Sequence, residues 1–123
     1  MSNHFHNFLI VAAAALSVGC DSLTGTVCTD EARAAISVEA LDSITHAPVG
    51  VGARIIASDG AVADTVITVE DFGGPYGLAH ERAGRYTVTV EQAGYSPWSR
   101  SDVRVSRDNC HVRTVPLTAL LQR

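Results

Sequence analysis

The sequence contains no lysine, and its first 19 residues contain no charged side chain at all. Its nine basic residues are all arginines, scattered among 13 acidic residues, and the formal net charge is −4. A nucleic-acid-binding surface needs clustered basic side chains that replace the counterions of the phosphate backbone. The composition therefore argues against a nucleic-acid partner.

The sequence also lacks an apolar run long enough to cross a bilayer. Its longest run extends from Phe8 to Leu16. A membrane-spanning helix needs about 20 apolar residues, whereas the apolar core of a signal peptide has about 7–15. The run therefore predicts a cleaved signal peptide over residues 1–19, although the segment before it lacks the usual Lys or Arg.

The apolar run ends in Ser17-Val18-Gly19-Cys20, which resembles a bacterial lipobox. Small residues let an extended backbone enter a peptidase cleft, and the thiol accepts a diacylglyceryl group. We expect Cys20 to carry acyl chains such as palmitate, which anchor the chain because each buried methylene contributes about 0.8 kcal/mol. The expected location is the cell envelope, on the extracytoplasmic side of the inner or outer membrane. The alternative is a buried helix followed by an ordinary thiol.

Cysteine is scarce, and only Cys28 and Cys110 remain once Cys20 is lipidated. Export would place both in a compartment that permits disulfides, so we predict a bridge between them. The alternative is a metal site at Cys110-His111. That dipeptide lacks the C-x2-C partner spacing of a zinc site, so we expect no metal and no cofactor there.

Helical patterning is almost absent, and only residues 30–35 have any helical character. Apolar and polar residues instead alternate with a period of two, which is typical of half-buried strands. Asp59-Gly60 marks a tight hairpin turn. We therefore predict a lipid-anchored tether over residues 20–33 and an all-β domain over residues 34–123, a sandwich or small barrel. The predicted strands are residues 35–40, 49–57, 62–69, 76–80, 85–91, one beginning at Val103, and 111–121.

Two stretches together resemble a known family. One is residues 38–49; the other has Gly84, Tyr86, Val88 and Val90 at alternate positions, followed by Gly94-Tyr95. Both are similar to the carboxypeptidase regulatory-like domain, a transthyretin-like fold. The resemblance implies a seven-stranded Greek-key β-sandwich. It also implies a supporting or binding role, because that domain accompanies a peptidase and does not itself hydrolyse peptides.

No motif for catalysis or metal binding stands out. The mature chain would contain His46, His80 and His111 without ligand spacing, and no G-x-S-x-G element occurs. A catalytic site would need the fold to bring His80, Glu81 and His111 together. Two acidic residues at 70–71, next to Gly73-Gly74, are weak evidence for calcium because they lack the D-x-D-x-D spacing.

Two hypotheses about function follow. The first is a non-catalytic envelope lipoprotein whose sandwich binds a protein or a glycan, through an aromatic patch of Tyr95, Trp98 and Arg100. The competing interpretation of that patch is that Tyr95 and Trp98 are core residues beside a turn. The second hypothesis is a small metal-dependent or hydrolytic enzyme built on the same sandwich.

Overall fold

The computed structural model describes residues 27–70 and 72–123. Within these residues the chain forms seven strands and no helix, so the all-β prediction is confirmed and the helical character of residues 30–35 is not realised. The strands are β1 (Ile36–Asp42), β2 (Arg54–Ser58), β3 (Ala63–Ile67), β4 (Tyr76–Leu78), β5 (Gly84–Glu91), β6 (Trp98–Val105) and β7 (Val115–Leu121).

The strands form two sheets in a sandwich-like arrangement. One sheet has the order β4-β1-β7 and the other the order β3-β2-β5-β6. β1 runs parallel to β7 and antiparallel to β4, whereas every pair in the four-stranded sheet is antiparallel. Both sheets contribute to one apolar core, whose largest fully buried side chains are Tyr86, Ile36, Ile55, Leu78, Leu121, Val38, Val88, Val90 and Val112.

The period-two patterning explains how each strand contributes to this core. In β5, Tyr86, Val88 and Val90 are buried while Arg85 and Thr87 are exposed, as the alternation predicts. Branched and aromatic side chains suit a pleated, half-buried surface, and removing their apolar area from water stabilises the fold. The inward face of β5 is therefore determined by its sequence.

The Asp59-Gly60 hairpin is confirmed. The Asp59 carboxylate accepts hydrogen bonds from the backbone N–H of Ala61 at 3.0 Å and of Val62 at 2.8 Å. Gly60 has a φ of 94°, a left-handed conformation that glycine adopts without a steric penalty. The turn therefore sets the antiparallel register of β2 and β3.

The strand predicted over residues 49–57 begins only at Arg54. Thr68 explains the difference, because its hydroxyl donates to the carbonyl of Gly50 and accepts from the N–H of Ala53, both at 2.9 Å. These hydrogen bonds hold residues 49–53 in a loop, so these residues do not extend strand β2. The returning strand is correspondingly shorter and ends at Ile67.

Two further strand boundaries were predicted wrongly. Val103 and Val105 end β6 and do not begin it, because the strand already starts at Trp98. Asp102 has a φ of 57° inside β6, and the β5–β6 register shifts nearby, so the alternation is interrupted. The last strand begins at Val115 and not at residue 111, since residues 106–114 form a loop.

The predicted signal peptide and the lipidation site at Cys20 lie outside the described residues. Across residues 27–70 and 72–123, no helix has the length and apolar character that a membrane span requires.

The strand registers define two ends of the domain. Ile36, Leu78 and Val115 align at the end where β1 begins, whereas Asp42 and Leu121 align at the opposite end. We call these ends the near pole and the far pole. The near pole consists of residues 27–35, 58–63, 79–84 and 106–114. The far pole consists of residues 43–54, 68–70, 72–75, 91–97 and 122–123.

Candidate functional site

The predicted disulfide is present at the near pole. Cys28 and Cys110 are bonded, with a Cα–Cα distance of 5.1 Å and a sequence separation of 82. The bridge joins the segment before β1 to the loop between β6 and β7. It therefore fixes the segment before β1 to this end of the domain.

A hydrogen-bonded triad lies directly beside the bridge. The buried His111 ring has its Nδ1 2.6 Å from Glu81 Oε1 and its Nε2 2.9 Å from Thr29 Oγ1. A carboxylate only accepts hydrogen bonds, so Nδ1 carries the proton that Glu81 accepts. In the neutral imidazole, Nε2 then accepts the Thr29 hydroxyl proton. The triad is thus a chain of two hydrogen bonds, from the Thr29 hydroxyl to the His111 imidazole and from the imidazole to the Glu81 carboxylate.

Backbone N–H groups from two other segments of the chain hold the Glu81 carboxylate in place. Its Oε1 accepts from the N–H of Arg33 at 2.9 Å, and its Oε2 accepts from the N–H of Val112 at 3.3 Å. The Arg33 N–H first, and the His111 ring second, hold the pKa of the Glu81 carboxyl below its usual value. Glu81 itself has a φ of 57°, an unusual conformation for a non-glycine residue that is frequent at functional sites.

His111 is oriented by a second carboxylate through its backbone. Asp108 Oδ1 accepts from the N–H of Cys110 at 2.8 Å and of His111 at 2.9 Å. These two N–H groups, with His111 first, lower the pKa of the Asp108 carboxyl. Asp108 thereby stabilises the turn over residues 108–111, which carries the imidazole and includes the bridged Cys110.

The structure brings together two of the three residues that sequence reasoning singled out for a catalytic site. Glu81 and His111 meet, whereas His80 is exposed and takes no part in the triad. Within the described part of the chain, no group of three or more His, Cys, Asp or Glu side chains is arranged to hold a metal ion.

Thr29 is the residue that sequence reasoning missed. Thr29 and His111 directly follow Cys28 and Cys110 in the sequence, so the predicted disulfide would already have placed them close together. The signal was therefore present in the sequence, in the neighbours of the cysteines and not in a catalytic motif.

A buried carboxylate organises the far pole. Asp42 Oδ1 accepts from the N–H of Ile44 at 2.8 Å and of Thr45 at 2.9 Å. Its Oδ2 accepts from the Tyr95 hydroxyl at 2.9 Å and from Arg123 Nε at 3.2 Å. The Thr45 and Ile44 N–H groups, followed by the Tyr95 hydroxyl, hold the pKa of Asp42 well below its usual range.

The structure divides the predicted aromatic patch between two neighbouring depressions. Tyr95 is half-buried against the core and lines a depression of about 420 Å³ with Arg54, Glu91 and Pro97. Trp98 also packs against the core, and it lines a separate depression of about 140 Å³. The Arg100 guanidinium carbon lies 5.4 Å from the centre of the Trp98 ring.

The far pole also exposes apolar side chains and unpaired charges. Ile44 and Val69 are 89% and 77% exposed, and Val51 and Phe72 are also exposed. Beside them, Arg54 and Glu91 are opposite one another on β2 and β5. No ion pair among the described residues includes either Arg54 or Glu91. Both side chains are exposed.

No protein-family model matches this chain, and no curated protein matches it either. Its function must therefore be argued from these two poles.

Proposed function

We propose that this chain is a lipid-anchored protein of the bacterial cell envelope whose sandwich is a binding or structural module for a protein or a glycan. The observation that carries the proposal is the separation of the two poles. The Cys28–Cys110 bridge ties the tether to one pole, and the other pole has the exposed side chains of Ile44, Val51, Val69 and Phe72 next to the unpaired charges of Arg54 and Glu91.

The anchor and the bridge would together determine which pole faces the membrane. A lipid on Cys20 is followed by a few residues before the bridged Cys28. An extended chain advances about 3.3–3.6 Å per residue, so this tether reaches at most about 25–30 Å. The near pole would then face the membrane, and the far pole would face the periplasm or the exterior.

The far pole suits a polar ligand with apolar parts. The Arg54 guanidinium and the Glu91 carboxylate offer a donor and an acceptor in the depression that Tyr95 also lines. Such combinations of an aromatic face with a few directed polar groups recur in protein and glycan recognition. Exposed Val51, Val69 and Phe72 add apolar contact area nearby.

We also propose that the sandwich has the Greek-key topology of the carboxypeptidase regulatory-like domain. β2 pairs with β5 although two strands lie between them in sequence, and such returns are typical of Greek keys. The Gly84-to-Val90 motif that carries the resemblance forms β5, which has a neighbour on each side in the larger sheet.

Site-specific photo-crosslinking in intact cells would test binding at the far pole. A photo-reactive amino acid replaces Val51 at the far pole, and the same amino acid replaces exposed Glu31 at the near pole as the matched control. We expect a discrete covalent adduct from position 51 that is lost when Arg54 and Glu91 are both changed to alanine. Adducts from position 31 alone, or none from either position, would contradict the proposal.

A further inference from the structure

We propose that the near pole contains an acyl-ester hydrolase site, in which Thr29 is the nucleophile, His111 the general base and Glu81 the residue that positions His111. This inference goes beyond binding at the far pole and takes up the hydrolytic alternative. It does not depend on the far pole, since the three residues all lie at the opposite end of the domain.

The geometry meets the requirements for an activated hydroxyl. A nucleophile and its base must lie within about 2.6–3.2 Å, and a third group must orient the base. The Thr29–His111 distance of 2.9 Å and the His111–Glu81 distance of 2.6 Å satisfy both conditions. The three groups come from three different segments of the chain, and the neighbouring disulfide holds two of those segments together.

The electrostatics suit the same roles. His111 is buried, and its Nδ1 proton is held by Glu81, so Nε2 is the atom that faces the hydroxyl. Backbone N–H groups of Arg33 and Val112 hold Glu81 from outside the triad. Glu81 therefore remains an acceptor and fixes the ring orientation, as an orienting carboxylate does in a hydrolase triad.

A cavity gives substrate access to the hydroxyl. A depression of about 360 Å³ is lined by both Thr29 and His111, together with Arg33 and the Cys28–Cys110 bridge. The Arg33 side chain is 44% exposed, and its Nε is paired with Glu31 at 3.0 Å. Because Arg33 lines the same depression as Thr29, it offers a cation that can stabilise the oxyanion formed when a carbonyl is attacked.

The proposed reaction is a two-step acyl transfer. Thr29 Oγ1 forms a bond to the carbonyl carbon of the ester while its proton passes to His111 Nε2. The bond from that carbon to the alcohol oxygen then breaks, and His111 returns the proton to the departing alcohol. Water attacks the acyl-threonine, again giving a proton to Nε2, and releases the acid as Thr29 recovers its proton.

The test uses the full chain, purified in detergent, with p-nitrophenyl acetate as substrate. We expect turnover that falls at least about 100-fold in Thr29→Ala and in His111→Ala, the usual range for loss of a nucleophile or base. Thr29→Ser keeps the hydroxyl and should keep the activity. His80→Ala and His46→Ala are the controls, because exposed imidazoles also hydrolyse this ester slowly, and both variants should match the wild type.

Covalent labelling distinguishes catalysis from a structural role for the same contacts. A fluorophosphonate probe should modify Thr29, as located by peptide mass spectrometry, and it should modify the same position in the Thr29→Ser variant. Labelling at any other residue, or equal turnover in Thr29→Ala and wild type, would overturn the proposal. Turnover that disappears in the two control variants would overturn it as well.

Glu81 is tested as a positioning residue. Glu81→Gln should lower kcat with little change in KM and should displace the pH profile of kcat, because the glutamine amide cannot hold the Nδ1 proton as a carboxylate does. A variant that loses only thermal stability, with kcat and its pH profile unchanged, would show that Glu81 has a structural role alone.

Discussion

At the end of β1, the Asp42 carboxylate accepts hydrogen bonds from the turn after the strand, from Tyr95 and from Arg123. These partners come from three separate parts of the far pole. Because the Thr45 and Ile44 N–H groups and the Tyr95 hydroxyl bind the charged form, the pKa of Asp42 is well below its usual range. One side chain thus joins loops that are distant in sequence.

Asp42→Asn should lower the melting temperature by several degrees at neutral pH. The pKa of Asp42 is lower in the folded than in the unfolded chain, so its stabilising effect is fully present above the unfolded pKa of about 3.9. The effect is lost as the pH falls below that value toward the folded pKa. Melting curves recorded from pH 7 to pH 2 should therefore show the difference between variant and wild type shrinking in acid.

Glu39→Gln is the matched control for this prediction. Glu39 lies on the same strand, but its side chain is exposed and makes no hydrogen bond within the described residues. We expect Glu39→Gln to leave the melting temperature nearly unchanged at every pH. A constant difference between Asp42→Asn and wild type down to pH 2 would argue against the electrostatic explanation.

The contacts among Thr29, His111 and Glu81 also depend on the conformation of single residues. No spacing in the sequence relates Glu81 to the other two, because it reaches them through a turn in which Ala79 and Glu81 both have positive φ. The bridged cysteines relate Thr29 to His111, but the orientation of the imidazole depends on Asp108 and Glu81. The absence of catalytic motifs and the family resemblance predict a non-catalytic domain, and that stays a prediction. The hydrolase proposed for the near pole would contradict it, since a site assembled from separate loops has no sequence motif.

At the scale of elements, the Cys28–Cys110 bridge connects the segment before β1 with the loop between β6 and β7. The bridge closes a loop of 82 residues, nearly the whole domain. Closing a loop of that length in the unfolded chain lowers its conformational entropy, which corresponds to about 4–5 kcal/mol of stability in the chain-entropy model.

Cys28→Ser should therefore lower the free energy of unfolding by about 4–5 kcal/mol, with strain or residual structure reducing that value. Urea denaturation followed by tryptophan fluorescence measures the change, since Trp98 packs against the core. Reduction of the wild-type protein should reproduce the effect, whereas reduction of the variant should have none. Equal midpoints for variant and wild type would mean that the bridge does not stabilise the fold.

The strand boundaries show which elements can be predicted from the sequence. β1 and β5 alternate regularly and lie where predicted. The boundaries of β2 and β6 differ from the prediction because a single residue in each region interrupts the regular pattern. Thr68 binds the loop before β2, and Asp102 has a positive φ within β6, where the β5–β6 register shifts. Local sequence propensity cannot predict an interruption that depends on a distant side chain or on the positive φ of a single residue.

At the scale of the whole molecule, the proposed anchor predicts the mass of the mature protein. Intact mass spectrometry of membrane-extracted protein should show the loss of residues 1–19 and the addition of acyl chains on Cys20. Reduction should add about 2 Da for the two hydrogen atoms, two protons and two electrons, taken up by one disulfide, and Cys20→Ser should abolish acylation. An unacylated mass that retains Met1 would contradict the proposed location and leave the two poles without a defined orientation to a membrane.

The sequence by itself determined the class of fold, the inward face of its regular strands, the Asp59-Gly60 turn and the pairing of Cys28 with Cys110. These features depend on local periodicity, on backbone preference or, for the cysteines, on the interpretation of Cys20 as a lipidation site, which leaves one pair. Only the tertiary structure decided that β1 runs parallel to β7, that Tyr95 and Trp98 face different depressions, and that Thr29, His111 and Glu81 meet. Those relations join residues far apart in the chain, and their geometry follows from how the two sheets and their loops pack together.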